Sequence, residues 1–226
     1  MKIQFIIIGW HYNQHEYYED LKYLLDNNSN IDVFWCCHKT PTDFIKNNFT
    51  YHEFNNHGLE WGGYQQSIDY LDLDDDTILF CMHDDLIVKD WSFITQCIDL
   101  LNNGKKVIGN GVNYPLVLDP NAIAYNNKSF IEYVKPQCHH MFNDTQFSYT
   151  IRGSFLCTMR KYLRDINDFE VIWEPPVPGQ PIGTFGNVQQ QLLGYKLTKV
   201  YGLHGFAYLS NTYQDSSFIY ECARGK

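Results

Sequence analysis

A continuous run of apolar residues near the start of the chain constrains the fold more than any other feature of the sequence. Residues 3–8 read Ile-Gln-Phe-Ile-Ile-Ile, which is typical of a strand covered on both faces. The run is far shorter than the ~20 apolar residues that cross a bilayer, and it is followed by no small-residue cleavage site. We therefore predict a buried first strand, and neither a transmembrane segment nor a signal peptide.

Strand and helix patterns alternate through the first half of the chain. Further buried or short strands are predicted at Ile31–Cys37, Thr77–Met82 and Lys106–Gly109. Apolar residues at helical spacing predict three intervening helices, over Glu16–Asp26, over Trp61–Leu71, and between an N-cap at Asp90 and a stop at Gly104. This order implies parallel strands joined by crossover helices. It predicts an α/β fold with an open, mostly parallel twisted sheet flanked by helices.

The second half of the chain is less regular. Residues 111–150 show no clear periodicity, and four prolines predict a loop over 173–183. The elements predicted here are a strand at Phe155–Arg160, a short helix at Asn187–Leu193 ended by Gly194, and a last strand at Lys196–Tyr201.

The length predicts one domain. No repeat or flexible linker divides the 226 residues, and a hydrophobic share of 44% is ample for a core. We expect a single unit over 1–226, with a nucleotide-binding half at 1–110 and a looser half at 111–226.

Charge and cysteine usage narrow the function classes. The 17 Lys+Arg against 26 Asp+Glu give a formal net charge of −9. Because a nucleic-acid binder needs positive surface to neutralise phosphates, this acidity argues against that class. The seven Cys are scattered and form no CxxC motif, which indicates reduced thiols and a cytoplasmic protein.

The sharpest candidate site is His83-Asp84-Asp85, at the carboxyl end of a predicted buried strand. Ligands of open α/β sheets bind outside the carboxyl ends of the strands. Two adjacent carboxylates repel each other unless a cation compensates. A hard divalent ion held by one or two carboxylates and completed by substrate phosphates meets that need. We predict a metal site here, whereas Asp74-Asp75-Asp76 is interpreted as a solvated turn.

Two glycine-rich segments are the other candidates. Asn56-His57-Gly58 and Trp61-Gly62-Gly63 surround a loop-to-helix transition, where free N–H groups suit a phosphate or a sugar hydroxyl. Close helix–sheet packing explains such glycines equally well. His204 lies in Gly-Leu-His-Gly after the predicted last strand, where it is free to bind a ligand but is as readily a surface residue.

The order of these pieces resembles the GT-A glycosyltransferases of the family 2-like group. Tyr12-Asn13 stands where the family has a Pro-Thr-Tyr-Asn-like turn, Asn56-His57-Gly58 is similar to its Asn-x-Gly segment, and His83-Asp84-Asp85 corresponds to its DxD motif. Gly153-Ser154-Phe155 with Met159-Arg160-Lys161 is similar to the family's acceptor-side strand. Asn187 to Leu197 is similar to its late helix, and His204 stands where a late metal-binding His often lies.

The resemblance implies a GT-A-like fold and a transferase of the EC 2.4 class, active in carbohydrate biosynthesis. Such an enzyme moves a sugar from a nucleotide-diphosphate-sugar donor to a hydroxyl of a glycan or other acceptor, with inversion. It needs Mn²⁺ or Mg²⁺, and an imidazole ligand favours Mn²⁺. The implied metal ligands are Asp85, Asp84 and His204, and the implied donor-binding residues are Tyr12, Asn13, Asn56, Gly58, His83 and Asp84. Sugar-stacking surfaces would come from Trp173, Phe185 and Tyr195.

The sequence departs from the family at two acidic positions. The second strand ends Cys36-Cys37-His38-Lys39 rather than in an acidic pair, and Gly183-Thr184-Phe185-Gly186 stands where the family has its catalytic base. Glu174 is the nearest substitute for that base, and Asp144 is another. A non-catalytic nucleotide- or glycan-binding protein on the same scaffold is therefore an alternative. A metal-dependent phosphoesterase is a further one, although it calls for more ligand motifs.

Overall fold

The computed structural model describes residues 1–112, 116–117, 147–148, 151–169, 171, 182–213 and 216–221. The strands are β1 (Ile3–Gly9), β2 (Ile31–Cys37), β3 (Thr50–Glu53), β4 (Ile78–His83), β5 (Leu86–Val88), β6 (Val107–Val112), β7 (Leu116–Val117), β8 (Phe147–Ser148), β9 (Phe155–Met159), β10 (Phe206–Tyr213) and β11 (Ile219–Glu221). The helices are α1 (His15–Asn27), α2 (Asp43–Asn48), α3 (Leu59–Tyr70), α4 (Phe93–Asn102), α5 (Arg160–Arg164) and α6 (Ile182–Tyr201).

Seven strands form one mixed, mostly parallel sheet in the order β10-β6-β9-β4-β1-β2-β3. Strands β4, β1, β2 and β3 are parallel neighbours, and β10 is parallel to β6. Strand β9 lies between β4 and β6 and is antiparallel to both. Strands β5 and β11 form a separate antiparallel pair. The predicted α/β sheet is confirmed, with one antiparallel strand inserted at its centre.

Apolar layers cover both faces of the sheet. On one face, α1 and α4 pack onto alternate residues of β1, β4 and β9, and Phe5 stacks on Phe80 at 4.9 Å between ring centroids. On the other face, α3 and α6 pack through residues such as Trp61, Tyr64 and Leu197. All seven residues of β1 are buried, as its continuous apolar run predicts.

The first half follows the sequence prediction closely. Strand β2 has the predicted bounds, and β1, β4 and β6 lie within three residues of theirs. The helix predicted to begin at an Asp90 cap instead has Ser92 at its N-cap position, and Asp90 Oδ1 accepts a hydrogen bond from the Ser92 N–H at 2.8 Å. In the described part of the chain, none of the helices combines the length and hydropathy needed to span a bilayer.

Two predictions for the second half are wrong. Helix α6 continues through Gly194, whose carbonyl accepts a hydrogen bond from Thr198 Oγ1 at 2.7 Å, so residues 196–201 are helical rather than a strand. Leu193 and Leu197, four residues apart, are buried against the sheet, and this packing outweighs the β-branched residues nearby. The true late strand of the sheet is β10, which follows His204. Residues 172–181, and most of 111–150, lie outside the described residues.

Candidate active site

The carboxyl ends of β1, β2 and β4 meet at one edge of the sheet, because these strands are parallel neighbours. His83 ends β4 and is followed by Asp84 and Asp85, while the turn after β1 carries Tyr12 and the turn after β2 carries His38. The acidic pair and the turn predicted to bind the donor therefore lie side by side. We call this region the carboxyl edge and the opposite side the amino edge.

Asp84 anchors the turn after β1. Its side chain is buried, at 1% exposure, and its Oδ2 accepts hydrogen bonds from the backbone N–H groups of Trp10, His11 and Tyr12 at 2.9, 2.7 and 2.7 Å. Burial raises the pKa of Asp84 above its usual range, and the three N–H bonds oppose that rise. The sequence predicted a metal- and donor-binding carboxylate at this position. In the structure this carboxylate is withdrawn from solvent and binds the chain's own backbone through Oδ2, and its metal- and donor-binding roles stay predictions.

Tyr12 ties the turns after β1 and β2 together. Its hydroxyl donates to the carbonyl of Lys39 at 2.8 Å and lies 3.2 Å from the carbonyl of Gly9. The residue has a φ of 54°, a left-handed conformation that costs a non-glycine residue roughly 1–2 kcal/mol. A Cβ on Gly9 would lie 2.6 Å from the Tyr12 ring, so the glycine makes room for it. Tyr12 therefore supports the edge of the predicted donor pocket.

Asp85 is the carboxylate that faces other polar side chains. Its Oδ1 lies 3.7 Å from His83 Nδ1 and its Oδ2 lies 3.7 Å from His11 Nε2. Both distances are too long for hydrogen bonds. The Nε2 atom of His83 is buried and has no hydrogen-bond partner in the described structure. Because buried polar atoms almost always have a partner, a water or ligand is expected there.

The side chains at this edge fit a divalent ion only if water and substrate phosphates supply most of its ligands. Among the described residues, no group of three His, Cys, Asp or Glu side chains is arranged to hold a metal ion unaided. Asp85 supplies one carboxylate, beside the imidazoles of His11 and His83. Mg²⁺ and Mn²⁺ commonly use one or two carboxylates and take their remaining ligands from water and substrate phosphates. Such an ion fits the donor chemistry of Asp85 once a diphosphate is present.

The turn after β2 presents an imidazole, an ammonium and an indole instead of an acidic pair. Burial, with a smaller contribution from His83, lowers the pKa of His38 to about 4, so the ring is neutral at pH 7. Lys39 Nζ lies 4.1 Å from the ring centroid of Trp10, a cation–π contact at an exposed position. These groups can contact a base or a phosphate. Sequence reasoning missed Trp10, His11 and His38, although each directly follows a parallel strand.

The glycine-rich start of α3 is consistent with both roles considered for it, close helix–sheet packing and contact with a ligand. Gly63 packs on the sheet, because a Cβ there would lie 2.7 Å from Ile8 Cδ1 and 3.0 Å from the His38 ring. Gly58, at the N-cap, has a φ of 75°, and its side-chain position is occupied by Val171. Asn13 and Asn56 are exposed, after β1 and β3 respectively. All these residues lie around the carboxyl edge, and the donor-binding roles of Asn13, Asn56 and Gly58 stay predictions.

His204 lies at the other edge of the sheet. It sits in a short 3₁₀ turn before β10, and its carbonyl accepts a hydrogen bond from Lys105 Nζ at 2.9 Å. Through the strand pairing, the first residue of β10 lies level with Leu79, near the start of β4, whereas Asp85 follows the end of β4. The prediction that His204 and Asp85 share an ion is therefore wrong. Its cause is the misassigned strand at 196–201.

The predicted base and stacking residues are not part of the described site. Glu174, Trp173 and Asp144 lie outside the described residues, as do the side chains of Phe185 and Tyr195. Their predicted roles stay predictions.

Known proteins match the fold of this chain rather than its sequence. No protein-family model matches the chain, and no curated protein matches it. The glucosyl-3-phosphoglycerate synthase from Mycobacterium tuberculosis, in complex with Mn²⁺, UDP-glucose and phosphoglyceric acid, superposes with a TM-score of 0.52 at 12% identity, over 99% of this chain and 72% of that one. S. aureus TarS gives a TM-score of 0.50 at 14% identity, over 99% of this chain and 37% of its own.

The chain has a GT-A-like glycosyltransferase fold. The resemblance predicted from the order of motifs is thus confirmed at the level of the fold. At identities of 12% and 14% the likeness is one of fold.

Proposed function

We propose that the protein is a glycosyltransferase that moves a sugar from a nucleotide-diphosphate-sugar donor to an acceptor hydroxyl, using Mn²⁺ or Mg²⁺ and inverting the anomeric centre. The observation that carries the proposal is the position of Asp85. It is a carboxylate at the carboxyl edge of a GT-A-like sheet, flanked by two imidazoles and paired with no Lys or Arg among the described residues. A divalent ion and a diphosphate would balance that charge.

The residues of this edge would divide the work of binding. Asp85 would hold the ion, which when bound acts as a Lewis acid on the leaving diphosphate. His11 and His83, each 3.7 Å from Asp85, would donate hydrogen bonds to phosphate oxygens. Trp10 would stack on the nucleobase and Lys39 would meet its acceptor atoms. Asp84 and Tyr12 would act indirectly, by holding the turn that carries Trp10 and His11.

Further donor contacts come from residues that the sequence singled out. Asn13 and Asn56 are exposed near this edge and offer amide groups to ribose or sugar hydroxyls. Gly58 is the N-cap of α3, and the N–H groups of the first turn suit a sugar hydroxyl of the donor. Glu174 is the base that the sequence proposes for the acceptor hydroxyl.

The test is a thermal-shift screen of UDP-glucose, GDP-mannose and dTDP-rhamnose with and without Mn²⁺, on wild-type protein, Asp85→Ala and Asp72→Ala. A donor at a hundredfold excess over its Kd stabilises the fold by about 2.7 kcal/mol. We expect one donor to raise the Tm in an Mn²⁺-dependent way, and Asp85→Ala to abolish that effect. Asp72 is exposed before β4, and its variant should behave like wild type. An undiminished shift in Asp85→Ala would refute the role of Asp85.

One observation favours a second function, a binding protein that holds the donor without turning it over. The turn after β2 lacks the family's acidic pair, and Asp84 is committed to the backbone rather than to a ligand. Release of nucleoside diphosphate separates the two functions. A protein that binds a donor with Mn²⁺ but releases no diphosphate with any acceptor or water would be a binding protein.

A further inference from the structure

Glu60 is a half-buried carboxylate in the first turn of α3, with no hydrogen bond or ion pair among the described residues. Its side chain lies directly over Gly153. A Cβ on Gly153 would lie 2.4 Å from Glu60 Cγ and 2.7 Å from Oε1. The glycine thus provides the space that Glu60 fills. A carboxylate that is partly removed from water and given no donor costs free energy, which calls for an explanation.

The backbone that places Glu60 is strained. The two preceding residues, Gly58 and Leu59, have φ values of 75° and 56°. Leucine in this left-handed region costs roughly 1–2 kcal/mol, and the N-cap glycine supplies no side-chain cap in return. Strain of this kind persists where the surrounding structure imposes it, often at functional sites. Here it sets the direction in which α3 leaves the loop, and so the position of Glu60.

Glu60 lies next to the proposed active site, on the side of His83 opposite to His11. Gly153 is followed by Ser154, whose carbonyl accepts a hydrogen bond from the His83 N–H at 3.1 Å. Since β9 and β1 flank β4 on opposite sides, Glu60 stands on the β9 side of His83, and His11 stands on the β1 side.

Two polar atoms of residues beside Gly153 also lack partners, since Ser154 follows Gly153 and pairs through its backbone with His83. Ser154 Oγ and His83 Nε2 are both buried, and neither has a hydrogen-bond partner in the described structure. Buried polar atoms of this kind usually contact a water or a ligand. Glu60 lies over Gly153, and the two unpartnered atoms belong to the next residue of the chain and to its strand neighbour. Polar groups at adjoining positions suit hydroxyl groups, which both donate and accept hydrogen bonds.

We propose, building on the glycosyltransferase function above, that Glu60 is the catalytic base. Its carboxylate takes the proton of the acceptor hydroxyl while a lone pair of that oxygen forms the bond to the anomeric carbon. The bond from this carbon to the phosphate oxygen breaks, and its electron pair leaves with the nucleoside diphosphate. Glu60 then returns the proton to solvent. Inversion requires that the acceptor at Glu60 approach the anomeric carbon from the side opposite the diphosphate that Asp85 and His11 would bind.

The test compares three Glu→Gln variants. Glu60→Gln keeps the shape over Gly153 but removes the basic oxygen. Glu174→Gln removes the base proposed from the sequence, and Glu19→Gln alters an exposed carboxylate on α1. Release of nucleoside diphosphate is followed with Mn²⁺ and each of UDP-glucose, GDP-mannose and dTDP-rhamnose, with water as acceptor. Since general bases contribute roughly 10²–10⁴-fold, kcat should fall at least about a hundredfold in Glu60→Gln, with the donor KM and thermal shift unchanged.

A variant of Gly153 tests the same site from the residue beneath Glu60. Gly153→Ala would displace the Glu60 side chain and should lower kcat as Glu60→Gln does. The double variant should be no slower than Glu60→Gln, because both changes remove one interaction. A purely structural role for Glu60 would instead reduce stability and leave kcat unchanged.

The outcomes separate the two proposals. Full kcat in Glu60→Gln, a raised donor KM at unchanged kcat, or a loss of kcat confined to Glu174→Gln would each overturn the role of Glu60 and leave the transferase function standing. A wild-type protein that releases no diphosphate from any of the donors would overturn the transferase function, and the role of Glu60 with it.

Discussion

The two ends of strand β4 carry acidic clusters of similar composition and opposite surroundings. Before the strand, Asp75 pairs with Arg164 at 2.6 Å and Asp76 with Lys161 at 3.2 Å. After the strand, Asp84 is bound by three backbone N–H groups, and Asp85 faces imidazoles at 3.7 Å. Within the described residues, no Lys or Arg pairs with Asp84 or Asp85.

Sequence composition alone therefore does not define a site. At the amino edge the chain pairs two of its own carboxylates, Asp75 and Asp76, with cations from α5. At the carboxyl edge the described residues compensate only with backbone dipoles and imidazole rings, which leaves Asp85 able to accept a cation from outside. The position of the cluster on the parallel sheet determines which of the two arrangements is useful.

The largest expected effect is on stability, from Asp84→Ala at the carboxyl edge. The change leaves three backbone N–H groups without their acceptor, which should lower the free energy of unfolding by about 3 kcal/mol or more. Asp76→Ala removes an exposed pair and should cost no more than about 1 kcal/mol. Urea denaturation midpoints measure both. Equal losses in the two variants would mean that Asp84 does not anchor the turn.

A smaller effect concerns pH. The pKa of His38 is lowered to about 4 in the folded protein, mainly by burial. Between this value and the unfolded pKa of about 6.5, the unfolded state binds the extra proton, so stability should fall as pH is lowered through that range. The shift is worth at most about 3 kcal/mol, and partial exposure reduces this to about 2 kcal/mol.

Metal-free unfolding curves between these pH values check the prediction. His38→Gln should flatten the dependence on pH, whereas a change at the exposed His204, at the amino edge, should leave it parallel to wild type. A wild-type slope retained in His38→Gln would assign the effect to other groups.

The ion pairs of the amino edge should matter less. Lys161→Gln breaks an exposed ion pair with Asp76, so it should lower the free energy of unfolding only slightly. Because salt screens such pairs, the loss should shrink at high ionic strength. Unfolding at low and high salt measures it, and a large salt-independent loss would contradict the view of this edge as solvated.

The smallest effect is expected at His204. His204→Ala should leave any Mn²⁺-dependent thermal shift unchanged, because the residue lies at the amino edge, away from Asp85. His11→Ala, its counterpart at the carboxyl edge, should weaken that shift. The reverse result would require a different arrangement of the strands around β10.

Much of the fold could be predicted, because local patterns determine it. The continuous apolar runs of β1, β2 and β4 identify strands buried on both faces, and helical spacing identifies α1 and α3. The second half was harder, since residues 196–201 carry both β-branched residues and a helical repeat. The burial of Leu197 against the sheet decided between them, and that contact is not visible in the local sequence.

The candidate site was predictable in place but not in detail. The rule on strand ends located His83-Asp84-Asp85, yet the separate roles of two adjacent carboxylates depend on backbone N–H groups 72 to 74 residues earlier. Likewise, nothing near Glu60 in the sequence reveals that Gly153 lies beneath it. Such long-range contacts are set by tertiary packing.

The insertion of β9 between β4 and β6 has a consequence for how the protein is made. A nascent chain that has reached residue 112 contains β4 and β6, but the strand that separates them in the finished sheet has not yet been synthesised. Until residue 159 leaves the ribosome, the edges of β4 and β6 that pair with β9 stay open to wrong partners. Expression of the first 112 residues alone should therefore yield aggregates, and slower translation before β9 would lengthen the time during which the chain depends on chaperones.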